Sequence, residues 1–135
     1  MAALTPKVEQ CREPLSAQAV GNALYGLQSM GDSAEVRGLV AALTPKVEQC
    51  REPLDAQGVS NALYGLQSMD DSTEVRGLVA ALTSRVWECR EPLKAQAVGN
   101  ALYGLRFLAK TQTWRVTGVA DLRIYEELTG MSCGL

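Results

Sequence analysis

The hexapeptide Asn61-Ala62-Leu63-Tyr64-Gly65-Leu66 occurs three times, at residues 22–27, 61–66 and 100–105, each copy 39 residues after the last. A fixed period of this length fits folds assembled from one recurring supersecondary unit that stacks on its neighbours. The chain of 135 residues divides into units 2–40, 41–79 and 80–108, followed by a divergent stretch, 109–135. The first two units differ only at Ser16/Asp55, Ala19/Gly58, Gly21/Ser60, Gly31/Asp70 and Ala34/Thr73.

Each unit reads as two helices. The first runs from about Glu35 to Cys50, with Val36, Leu39, Val40, Leu43, Val47 and Cys50 on one face. Asp32…Glu35 and Asp71…Glu74 have the spacing of a capping box at its start. Pro45 falls inside this helix, where it removes one backbone hydrogen bond; the third copy has Ser84 there, which predicts a kinked but continuous helix. Arg51-Glu52-Pro53 ends it, because the residue before proline avoids the α region.

The second helix runs from about Ala56 to Met69. Ser16 and Asp55 suit its N-cap and Lys94 does not. Leu54/Val59, Leu15/Val20 and Leu93/Val98 have the spacing of a hydrophobic staple. Val59, Ala62, Leu63, Leu66 and Met69 form its core face. Gly58 and Gly65 beside that face cost about 1 kcal/mol each in helix propensity against Ala, so they point to close approach of a neighbouring helix. The expected architecture is therefore all-α, a helix-pair solenoid of about two and a half units plus a C-terminal tail.

Ala2 aligns with Ala41, in the middle of the first helix, so the first unit lacks the counterpart of Glu35–Val40. An uncapped array exposes apolar surface; we expect a piece of a longer array, or self-association through the uncapped N-terminal unit. The register fades after Leu108: Trp114 falls where Val75 would be, and Asp121–Leu128 can form a short helix ended by Gly130, so the tail is expected either to cap the stack or to be poorly ordered.

Composition removes several functions. There is no histidine, which excludes His-based acid/base catalysis and His-containing metal sites. Gly21 and Gly26 have the spacing of a phosphate-loop glycine pair, but Leu27 and Gln28 stand where Lys and Ser/Thr are needed. No acidic residue has a recognisable catalytic partner; an enzyme is not expected, and no cofactor or metal is implied. No run approaches a membrane span, and residues 1–6 lack the layout of a secretory signal or a transit peptide. Cys11, Cys50 and Cys89 are equivalent; neighbours in such a stack lie about 10 Å apart, beyond the disulfide limit of about 7 Å. They read as buried small hydrophobes in a reducing, intracellular compartment.

Opposite its core face the second helix carries Gln57, Asn61, Tyr64 and Ser68, recurring as Gln18, Asn22, Tyr25, Ser29 and as Gln96, Asn100, Tyr103, Phe107. Stacked units align these into ladders. Asn and Gln can bond base edges, and Tyr can stack on a base. Asn can equally form a buried ladder that satisfies backbone groups, and Tyr can pack with its hydroxyl at the rim; a protein-binding face is the third reading. On the first helix and the turn after it Arg12, Arg51 and Arg90 recur, as do Lys7, Lys46 and Arg85. They can contact phosphates, or pair with Glu9, Glu48, Glu52 and Glu91 close by. The net charge of −2 is low for a protein that holds phosphates by dense Lys/Arg.

The run Ala17-Gln18-Ala19-Val20-Gly21-Asn22-Ala23-Leu24-Tyr25-Gly26-Leu27, with Glu35-Val36-Arg37-Gly38-Leu39 after it, resembles the helical repeats of octotricopeptide and heptatricopeptide repeat proteins. The resemblance covers residues 2–108. It implies a right-handed α-solenoid that binds single-stranded RNA in chloroplasts or mitochondria. The rival partner is a protein held on a scaffold surface.

Overall fold

A computed structural model describes residues 3–106. The expected helix over Asp121–Leu128, Trp114, Phe107 and Cys133 lie outside the described residues. Within these residues the chain is all-helical, with no strand. Six α-helices follow in order: α1 (Leu4–Gln10), α2 (Ala17–Gly26), α3 (Ala34–Glu48), α4 (Ala56–Tyr64), α5 (Thr73–Glu88) and α6 (Ala95–Gly104). They form two rows. α1 packs on α3 and α3 on α5; α2 packs on α4 and α4 on α6. Val36, Leu39, Val40, Leu43 and Val47 from α3 meet Val20, Leu24, Val59 and Leu63 of the other row in one buried core.

The local signals explain most of the helix boundaries. Ser16 Oγ accepts the Ala19 amide and Asp55 Oδ1 the Gly58 amide, as N-caps should. Lys94 makes no side-chain cap to α6. Leu54 and Val59 are both buried, as a staple requires, and Val20 is buried with Leu15 half-covered; Leu93 and Val98 are exposed. α3 runs unbroken through Pro45, because Leu43 and Val47 on either side stay in the core.

Three expectations need correction. The N-caps of α3 and α5 are Ser33 and Ser72, which accept the amides of Val36 and Val75. Asp32 and Asp71 stand one residue earlier and instead accept from Arg37 and Arg76, at 2.5–2.6 Å; a guanidinium within reach is a stronger partner for a carboxylate than a neutral amide. The first helix of the unit ends at Glu48, with Gln49 as C-cap, rather than at Cys50. The second helix is not α-helical to Met69. It tightens to a 3-10 turn at Leu27–Ser29 and again at Gly65–Ser68, a common way for a last turn to satisfy its carbonyls.

Gly65 explains how closely the second row packs. A Cβ built on it would stand 1.8 Å from the Leu24 carbonyl oxygen, and one on Gly104 would stand 1.8 Å from that of Leu63. No side chain fits there. Gly58 acts differently: it is approached, by the Cβ position of Gly21 at 3.5 Å.

Candidate functional site

The close packing of α2, α4 and α6 sets the geometry of the polar strip. Tyr25, Tyr64 and Tyr103 stack on one another, with ring centroids 6.0 and 5.9 Å apart and ring planes 23° and 26° from parallel. Such offset pairs add about 0.5–1.5 kcal/mol beyond the area they bury. Tyr25 and Tyr103 are 44% exposed and Tyr64 is half-buried, so the column stands at the surface. The Arg106 guanidinium lies 3.9 Å from the Tyr103 centroid and closes that end of the column. The faces between Tyr25, Tyr64 and Tyr103 are therefore occupied by neighbouring rings.

Beside the column two clefts run between successive helices. The first, of about 520 Å³, lies between α2 and α4 and is lined by Gln18, Asn22, Gln57 and Asn61. The second, of about 660 Å³, lies between α4 and α6 and is lined by Gln57, Asn61, Gln96 and Asn100. Gln57 and Asn61 thus belong to both. None of these six amides makes a hydrogen bond within the described residues. Asn22 is exposed and Asn61 and Asn100 are half-buried, so the asparagines do not form a buried ladder that satisfies backbone groups. The last position of the strip does behave structurally: Ser68 Oγ donates to the Leu27 carbonyl at 3.1 Å. Next to it Gln67 Nε2 donates to Gln28 Oε1 at 3.1 Å.

The charged residues divide into two groups. One set ties successive helices together. Glu52 Oε1 accepts the Ala17 amide at 2.9 Å and Glu91 Oε1 the Ala56 amide at 2.7 Å, so each carboxylate caps the N-terminus of the preceding second-row helix. Lys46 Nζ donates to the Cys11 carbonyl at 2.6 Å, and Arg85 donates to the Cys50 carbonyl. Lys46 and Arg85 are thus turned toward the protein rather than toward a phosphate. The second set, Arg12, Arg51 and Arg90, is exposed and makes no hydrogen bond or ion pair within the described residues. Each sits one residue before a glutamate, and Glu52 and Glu91 line the clefts.

Sequence reasoning missed the glutamate caps, because partners 35 residues apart leave no local pattern. Arg106 was missed for another reason: it has no counterpart in the other units, where Gln28 and Gln67 stand. The thiols of Cys11, Cys50 and Cys89 are free and donate weakly to the carbonyls of Glu13, Glu52 and Glu91, at 3.5–3.7 Å; Cys50 is buried and the other two are half-exposed. Within the described residues no group of acidic or Cys side chains is placed to hold a metal ion. No helix there is long and apolar enough to cross a membrane. No known protein family, curated protein or solved structure matches the chain.

Proposed function

We propose that the chain is a binding module for single-stranded RNA, built as an α-solenoid of about two and a half 39-residue units, with the ligand lying along the second-helix row. The observation that carries the reading is the set of six unpaired amides, Gln18, Asn22, Gln57, Asn61, Gln96 and Asn100, in the walls of two adjoining clefts. Primary amides offer a donor and an acceptor side by side, the pattern that matches base edges. The solenoid reading is supported by contacts that recur from one unit to the next: Gly65 and Gly104 on preceding carbonyls, and Glu52 and Glu91 on preceding amides.

The spacing favours a single strand. The rings repeat every 5.9–6.0 Å, whereas stacked bases rise about 3.4 Å along one strand. A strand offering one base per unit must be unstacked, which a duplex is not. The free guanidinium groups of Arg12, Arg51 and Arg90 supply one cation per unit for the phosphates. The organelle setting rests on the resemblance of the Ala17–Leu27 run.

Fluorescence anisotropy with labelled single-stranded RNA tests this. Gln57→Ala with Asn61→Ala, which alters both clefts, should weaken binding at least tenfold while the melting temperature holds. Unchanged affinity in that variant would remove the clefts from the reading. One observation favours a protein partner as the second reading: Glu52, Asp55 and Glu91 give the clefts an acidic rim. Capture of a basic peptide in place of RNA, sensitive to the same two substitutions, would establish it.

A further inference from the structure

We propose that two copies of this chain associate head to tail, the face of α2 that carries Gly26 on one copy receiving the face of α6 that carries Leu102 on the other. The template is the contact the chain makes twice with itself. Between α2 and α4, Gly65 abuts the Leu24 carbonyl, Glu52 accepts the Ala17 amide and Lys46 donates to the Cys11 carbonyl. Between α4 and α6, Gly104, Glu91 and Arg85 do the same to Leu63, Ala56 and Cys50. Each seam thus joins a receiving set on the later unit to a presenting set on the earlier one.

One set of each kind is left over. Gly26 has nothing within 4 Å of its Cβ position, and the side chains of Lys7 and Glu13, which match those of Lys46 and Glu52, are exposed without a partner among the described residues. Beside Gly26 lies an apolar hollow of about 530 Å³, lined in part by Leu4, Val8, Leu15 and Leu39. At the other end Leu93, Val98 and Leu102 are 36%, 41% and 39% exposed, where their counterparts Leu54, Val59 and Leu63 are 1–2% exposed.

Charge favours the contact as well. In the second internal seam Glu91 reaches the Ala56 amide beside Asp55, a like charge. In the contact between copies Glu13 would reach the Ala95 amide beside Lys94, an opposite one. Faces of this kind are not the same patch on both partners, so the association is heterologous and can grow past a dimer.

Sedimentation velocity on the full chain without RNA tests this apart from the functional reading. The weight-average mass should rise with concentration beyond that of a dimer. Gly26→Leu, which points into open space in the monomer, should sediment as a monomer with an unchanged melting temperature. Leu102→Lys should do the same, with Val98→Lys as the alternative if Leu102→Lys lowers the melting temperature. An equimolar mixture of the two blocked variants, each keeping one good face, should form a dimer that does not grow. A monomer at every concentration, association that survives Gly26→Leu, or a mixture no larger than its components would overturn the proposal.

Discussion

Gly65 and Leu24 meet across the α2–α4 seam so tightly that a Cβ on the glycine would stand 1.8 Å from the leucine carbonyl oxygen. The α2–α4 half of the second-helix row is set by that approach, as the α4–α6 half is by Gly104 on Leu63. The Gly65 approach brings the Tyr25 and Tyr64 rings to 6.0 Å, sets the width of the first cleft, and puts Glu52 within reach of the Ala17 amide.

The seam gives the first prediction. Gly65→Ala and Gly104→Ala force backbone apart, and each should destabilise the fold by about 2–3 kcal/mol, the upper part of the range for overpacking. Gly38 and Gly77 lie in α3 and α5 with nothing within 4 Å of their Cβ positions. Gly38→Ala or Gly77→Ala should therefore stabilise, by about 0.5–1 kcal/mol of helix propensity and chain entropy. Urea unfolding of the four variants checks the sign in each case.

The glutamate caps give the second. Glu52→Ala leaves the Ala17 amide without its acceptor and should cost about 0.5–1.5 kcal/mol, with Glu91→Ala similar at Ala56. Glu52→Gln keeps an oxygen acceptor and should cost less. If the thermal unfolding of Glu52→Ala and Glu52→Gln coincides with that of the native chain, the carboxylate is not a cap.

The third concerns α6, whose N-terminus has Lys94 where α2 and α4 have Ser16 and Asp55. Lys94→Ser should stabilise by about 0.5–1 kcal/mol through the missing cap. Amide hydrogen exchange in the first turn of α6 should slow with it, and no change there would show that the position lacks capping geometry.

Much of this is legible in the sequence, and the boundary is physical. The core face of Val59, Leu63 and Leu66, the caps Ser16 and Asp55, and the close approach at Gly65 are short-range signals, each resting on residues a few positions apart. The capping pattern places the start of α3 one residue early, since Asp32 and Ser33 are both good caps and only the reach of Arg37 decides between them. The Glu52–Ala17 and Lys46–Cys11 bonds join residues 35 apart, and periodicity along one helix carries no information about them. Helical spacing puts the polar strip on α2, α4 and α6. That its tyrosines stack on each other while its amides stay unpaired depends on inter-helix distance, which the sequence does not give.

The arginines give the fourth prediction. Arg12, Arg51 and Arg90 carry no structural bond within the described residues, so replacing all three with Ala should leave stability within about 0.5 kcal/mol. RNA affinity should fall at all sequences alike, and the dependence of log affinity on log salt should flatten by about 0.7 for each phosphate no longer neutralised. A salt slope identical to that of the native chain would mean that these side chains touch no phosphate.

The most direct measurement is a titration of the chain with a labelled random single-stranded RNA pool, at low and then moderate salt, with heparin as competitor. If the cleft amides read base edges as proposed, binding should be saturable, persist at moderate salt, resist heparin and enrich particular sequences. No binding even at low salt, where electrostatic attraction is strongest, would contradict it.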